Sequence, residues 1–255
     1  MNKSVILCAV LAFAAGTAVN AQLFKGGKYS ARAAGDGRIL KICIGDRQIF
    51  EDETASATFY EAGADGKQIQ KRAFLITDWK NGVKSEKKEG TLKIFKHGTL
   101  NEANTEKQIC EFELEKEFTP GKITVKYKFT QTCDLSSSRQ IFESSLRAKS
   151  ADLTGFSVKA VDNGNAVYTT ISETAPEKSL VCKGQSIRLA DENAGMTIAV
   201  SDQASLILTD SRAWKNWKDD HIYATVSALP ADGRTGMRVF PKGTVWEWNF
   251  TLTFE

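Results

Sequence analysis

The chain has 255 residues, with 34 basic and 31 acidic side chains and a formal net charge of +3. That near-balance excludes a dedicated nucleic-acid binder, which needs a strongly basic field. The length is too great for a mini-protein and suits one all-β unit, a class that commonly runs to roughly 200–250 residues.

The N-terminus opens with Lys3 as its only early charge, then an uncharged run from Ser4 to Ala15, then Gly16 to Ala21. Charged, apolar and small-residue regions in that order predict a cleavable secretory signal over Met1 to Ala21, with Val19 and Ala21 at the compact cleavage positions. The mature chain is expected to begin at Gln22 and to be secreted or periplasmic. The apolar run falls short of the ~20 residues that span a bilayer, and no second long run comes after it, so no membrane span is expected after cleavage.

Gln22 to Gly35 has little apolar content and reads as a loosely held arm, to about residue 36, or as an edge strand. From about Gly37 onward, period-two alternation dominates, the mark of strands with one buried and one wet face. Strands are expected at Arg38 to Ile44, Ala55 to Tyr60, Lys71 to Thr77 and Thr91 to Phe95. The mixed-sign run Lys84 to Glu89 reads as a solvated loop or edge. The clearest alternation is Cys110 to Glu115, apolar on even positions, succeeded by Ile123 to Phe129, apolar on odd ones. Thr119-Pro120-Gly121-Lys122 between them is a turn, so the two runs predict a hairpin. Further strands are expected at Ser138 to Arg147, Gly155 to Val161, Ala166 to Ile171, Ser186 to Leu189, Met196 to Ser201 and Ser205 to Thr209. Ile222 to Ser227, Met237 to Phe240 and Val245 to Phe254 complete the set. Joints such as Gly63 to Gly66, Asp162 to Asn165, Asp191 to Gly195 and Ala231 to Gly233 are turn-like. Many short strands with such punctuation predict an all-β chain with little helix, a large antiparallel β-sandwich forming one domain over 22–255.

Removing Cys8 with the signal leaves four cysteines, an even number that suits two disulfides in an exported chain. The hairpin register brings Cys110 near Cys133, which predicts that bridge; Cys43 to Cys182 is left by elimination. With no CxxC pair and only His97 and His221 as histidines, a zinc site is not expected. Asp191-Glu192-Asn193 supplies too few oxygens for calcium and reads as a plain turn. No cofactor motif is present.

Chemistry concentrates in Asp210 to His221, a stretch holding Arg212, Trp214, Trp217, Asp219, Asp220 and His221 between two strands. Indole rings stack on the apolar faces of pyranose rings while charged and amide groups bond their hydroxyls, so this loop is the candidate ligand-binding site. The same residues could instead cap the sandwich, with solvated charges. Trp79, beside Asp78, is a second candidate contact or a packing residue at the rim. The stripe Trp246, Trp248, Phe250, Leu252 and Phe254 shares one face of the last strand and reads as core. No nucleophile elbow appears: Gly184-Gln185-Ser186-Ile187-Arg188 begins like one but lacks the final glycine. No carboxylate spacing fixes an acid and base pair.

Leu206 to Arg212, Tyr223, and Phe240 to Thr244 leading into Trp246 to Phe254 resemble the end of galactose-mutarotase-like supersandwich domains, found alone or attached to bacterial carbohydrate-active enzymes. The resemblance covers about the last fifth of the chain. It implies the supersandwich architecture and an association with carbohydrate. Mutarotases rely on two histidines and a glutamate, and those roles do not map onto His97 and His221. Export, the all-β class and the Trp214 to His221 loop together give the expected function, a noncatalytic interaction with a polysaccharide or glycan. The alternatives are a carbohydrate-active hydrolase, lyase or epimerase using Asp78, Asp219 or Asp220, and a structural or interaction protein of the cell envelope.

Overall fold

The computed structural model describes residues 21–74, 83–137, 141–214, 219–229 and 236–255. In chain order the first strands are β1 (Gln22–Lys25), β2 (Tyr29–Ala33), β3 (Ile39–Ile44), β4 (Arg47–Phe50), β5 (Asp52–Ala62), β6 (Gln68–Phe74) and β7 (Val83–Lys88). The middle of the chain forms β8 (Thr91–Asn101), β9 (Gln108–Thr119), β10 (Lys122–Gln131), β11 (Leu135–Ser137) and β12 (Phe142–Lys149), then the single turn α1 (Ser150–Leu153). Next come β13 (Ser157–Asp162), β14 (Asn165–Thr170), β15 (Leu180–Gly184), β16 (Ser186–Ala190), β17 (Gly195–Val200) and β18 (Ala204–Asp210). A 3₁₀ turn at Ser211–Ala213 precedes β19 (His221–Ala228), β20 (Arg238–Phe240) and β21 (Val245–Phe254).

These strands make an all-β fold of large antiparallel sheets. A nine-stranded sheet runs β14-β13-β16-β17-β21-β10-β9-β8-β7, and an eight-stranded sheet runs β15-β18-β19-β12-β5-β11-β20, with β6 paired to β5. Their inner faces meet where Phe129 of β10 stacks on Phe142 of β12 with ring centroids 4.5 Å apart, and beside this contact Trp248 of β21 stacks on Tyr127 within the nine-stranded sheet at 4.9 Å. The stripe from Trp246 to Phe254 is buried in this core, as its alternation requires. The β9–β10 hairpin turns where Pro120 presets φ and Gly121 takes φ +77°, pairing Thr119 with Lys122.

Residues 22–36 fold into β1, β2 and the turn after them, and β1 is the edge of a four-stranded sheet β1-β2-β3-β4. Phe24, Tyr29, Ala31 and Ala33 are buried. Tyr29 stacks on Phe254 at 4.0 Å, and its hydroxyl donates to the carbonyls of Thr119 and Lys122, so this segment caps the end of the nine-stranded sheet. The Lys84 to Glu89 run lies largely on β7, the sheet edge, and α1 is a helical turn of which the alternation gives no sign.

The structure shows neither of the expected disulfides. All four cysteines described are free. The hairpin places Cys110 opposite Gln131, so Cys133 falls two residues further on, past the end of β10 and diagonal to Cys110 rather than facing it. Cys43 and Cys182 sit in different sheets, on β3 and β15.

Several inward positions carry polar or charged side chains in place of apolar ones, and two of the charged ones meet. Glu53 on β5 and Lys116 on β9 are both 1% exposed. They form an ion pair; Lys116 Nζ also donates to the Gly37 carbonyl at 2.7 Å. The Glu53 carboxylate further accepts from Tyr127 Oη at 2.6 Å and the Ile39 amide at 2.8 Å. Each buried charge is thus hydrogen-bonded as well as paired, which is what makes its burial tolerable. This cluster ties the turn before β3 to the inside of the sandwich.

Candidate functional site

The base of the Asp210 to His221 loop is fixed by Ser211, whose buried hydroxyl donates to the His221 carbonyl at 2.8 Å and accepts from the His221 amide at 3.0 Å. That clamp joins the ends of β18 and β19. At the start of β19 alternate residues face outward, so Ile222 and Ala224 are buried while His221 and Tyr223 point away from the core. The β12–β19 register places Arg147 beside Tyr223 and Lys149 beside His221, and the β5–β12 register places Asp52 beside Arg147. One patch on the outer face of the eight-stranded sheet therefore gathers side chains from three strands.

Its centre is His221, held on both sides. Nδ1 meets the Asp219 carboxylate, and Nε2 lies 2.8 Å from Glu51 Oε1. Tyr223 Oη donates to the other oxygen of Asp219. Arg147 Nε approaches Glu51 Oε1 at 3.3 Å and its terminal nitrogen approaches Asp52 at 3.8 Å. Burial pushes the Tyr223 phenol up, and the bond to Asp219 adds to this, bringing it to about 12. Burial alone would raise the Asp219 carboxyl, but the Tyr223 and His221 bonds outweigh it and hold it below its ordinary value. Asp219 is therefore an anion that receives two bonds. Above this array the Trp214 ring stacks on Tyr223, with centroids 5.6 Å apart and planes 17° apart, and stays 37% exposed. The patch offers an aromatic surface beside directional donors and acceptors.

The other residues expected in the site separate from it. Arg212 is consumed structurally: its guanidinium grips Asp210 and donates to the carbonyls of Ser172 and Glu173 at 2.8 and 2.9 Å. Asp220 accepts from the Ser150 hydroxyl and its carbonyl accepts from the Ser150 amide, anchoring α1. Trp217, Trp79 and Asp78 lie outside the described residues. Glu51, Arg147 and Tyr223 complete the patch, and spacing along the chain marks none of them as a site residue. The outward positions of the Ser138 to Arg147 run and the Glu51-Asp52 pair at the start of β5 are the signals that could have found them. Asp191 proves to be a turn residue, accepting the amides of Asn193 and Ala194 and pairing with Arg47. Among the described residues no group of three or more His, Cys, Asp or Glu side chains could hold a metal ion.

A second open surface lies on the outer face of the nine-stranded sheet. A groove of about 540 Å³ is lined by His97, Thr99, Glu111, Glu113, Lys128 and Thr130, and one of about 290 Å³ adjoins it through His97, Glu113 and Lys128. Here the charges answer one another across strands: Glu113 with Lys128 at 3.3 Å, Glu115 with Lys126 at 3.7 Å and Glu117 with Lys93 at 3.0 Å. Such cross-strand pairs support a solvated sheet face.

No protein-family model matches the sequence, and no curated protein sequence matches it significantly. Solved structures do. A galactose mutarotase-like protein from Clostridium acetobutylicum superposes with a TM-score of 0.56 at 12% identity, over 91% of this chain and 94% of that one. The chain has the galactose-mutarotase-like fold. A second galactose mutarotase-like protein, from Lactobacillus casei, gives 0.52 at 11% identity over 92% and 100% of the two chains. The Slr1438 protein from Synechocystis sp. PCC 6803 gives 0.58 at 6% identity over 92% and 95%. The likeness read from the last fifth of the sequence thus extends over nine-tenths of the chain, and at these identities it concerns the fold alone.

Proposed function

We propose that this galactose-mutarotase-like chain is an exported, noncatalytic carbohydrate-binding protein whose ligand docks on the Trp214 patch. The observation that carries the reading is the partly exposed indole of Trp214, stacked on Tyr223 beside the Asp219–His221–Glu51 array. A sugar ring needs an apolar plane for its C–H face and fixed polar groups for its hydroxyls, and both are supplied within one patch. The noncatalytic part rests on His221: both of its ring nitrogens are spent on carboxylates, so neither is turned toward a reacting group. The groove around His97 has charges that neutralise one another and lacks an exposed ring stacked in this way. Export rests on the charged, apolar and small-residue order of Met1 to Ala21.

The test is a glycan array probed with the mature chain, Trp214→Ala and His97→Ala. Retention by wild type and His97→Ala with loss in Trp214→Ala supports the reading; no retention by folded wild type removes it. A second reading, a carbohydrate-active enzyme, is favoured by the meeting of the Asp219 and Glu51 carboxylates in one patch, since glycosidic chemistry uses a pair of carboxyl groups as acid and base or nucleophile. Optical rotation of freshly dissolved aldoses separates the two: the noncatalytic reading expects relaxation at the uncatalysed rate.

A further inference from the structure

A sheet edge exposes unpaired N–H and C=O groups, and proteins guard such edges with charge, proline, bulges or brevity. Most edges here are guarded. β7, at one side of the nine-stranded sheet, carries Lys84, Glu86, Lys87 and Lys88. β15 has an irregular register between Leu180 and Cys182, and β20 has three residues including Arg238. β6 bears Lys71 and Arg72, β1 ends in Lys25, and β4 begins at Arg47.

β14 is the exception among the described edges. Its sequence, Asn-Ala-Val-Tyr-Thr-Thr, has no charge and no proline, and its pairing with β13 is regular from Asn165 to Thr170. All six residues are exposed, with Val167 at 58% and Tyr168 at 69%. The strand is also held ready. The β13–β14 hairpin turns through Asn163 and Gly164 at φ 47° and 79°, the left-handed pair whose twist matches a two-residue hairpin. Lys159 lies 5.7 Å over the Tyr168 ring and steadies its face.

We propose that β14 is a self-association edge, pairing antiparallel with β14 of a second copy about a two-fold axis and continuing the nine-stranded sheet across the dimer. Val167 and Tyr168 are the two central residues of the strand. An axis at Val167 sets that residue opposite its own copy and Tyr168 opposite Ala166 of the second copy, so one symmetric contact covers both exposed apolar groups twice. Charge complementarity selects the same occupant: a strand without ionised side chains meets its own copy without like charges opposed, whereas β7 would set lysines against lysines. A ladder of this length places the contact in the small, reversible class of interfaces.

Sedimentation equilibrium of the mature chain over rising concentration, beside Val167→Lys and Thr169→Lys, tests the proposal. Wild type should approach twice the monomer mass while both lysine variants stay at one, with far-UV circular dichroism unchanged. Hydrogen exchange on wild type alone gives a second readout: amides of residues 165–170 should slow as concentration rises, and those of β7 should not. A wild type that stays monomeric to its solubility limit overturns the proposal, as does a dimer that survives both substitutions or concentration-independent exchange in β14.

Discussion

Replacing Lys116 with methionine removes the ammonium that neutralises Glu53 inside the sandwich while leaving the space nearly filled. The remaining carboxylate keeps its bonds from Tyr127 Oη and the Ile39 amide, at 2.6 and 2.8 Å, and the Gly37 carbonyl loses its donor. Breaking one side of a buried ion pair costs about 3–5 kcal/mol, and the two surviving donors place this case near the lower end, about 3 kcal/mol. In a chain of this size that lowers Tm by roughly 6–12 °C. Urea unfolding followed by tryptophan fluorescence reads the change as a shifted midpoint with unchanged slope. The double variant Lys116→Met/Glu53→Met removes the stranded charge as well, so the two substitutions should couple by about 2 kcal/mol rather than add. A loss below about 1 kcal/mol for Lys116→Met, or simple additivity, would refute the reasoning.

Single contacts set the other expected outcomes. A Cβ on Gly184 would lie 2.5 Å from the Val161 carbonyl oxygen, so Gly184→Ala should cost about 1–3 kcal/mol by forcing β15 away from β13, measured by the same urea titration. Trp248→Ala removes a 1% exposed indole stacked on Tyr127 and Phe129 and should cost about 3–5 kcal/mol by thermal unfolding. Asp219 has a depressed folded-state pKa, so its contribution is present above the unfolded value and is lost as pH falls through the folded one. Asp219→Asn should therefore be less stable than wild type at neutral pH, with the gap closing in acid. A gap that widens on acidification would contradict the assignment.

The sandwich could be read from the chain because alternation reports which face of a strand is buried, as Cys110 to Glu115 and Val245 to Phe254 both do. What alternation cannot report is which strand lies opposite. Lys116 and Glu53 sit at inward positions amid apolar neighbours, a visible break in each pattern, yet only sheet packing brings the two together. The cysteines show the same limit at closer range: the hairpin register is legible and puts Gln131 directly across from Cys110, with Cys133 two residues further on but near enough for its charge to add to the burial that pushes the Cys110 thiol up. At the site, clustering in sequence pointed to Trp214, Asp219 and His221. The fold then turned Arg212 and Asp220 to structural bonds and supplied Glu51 and Arg147 from distant parts of the chain, contributions that no local spacing encodes.

Binding of the best array glycan by the mature chain, Trp214→Ala and Lys128→Ala tests the carbohydrate reading most directly. Wild type and Lys128→Ala should bind alike, and Trp214→Ala should bind about tenfold more weakly, a loss of about 1.4 kcal/mol from the missing stack. Equal affinity in Trp214→Ala, or loss confined to Lys128→Ala, would contradict the assignment and move the ligand to the opposite face of the sandwich.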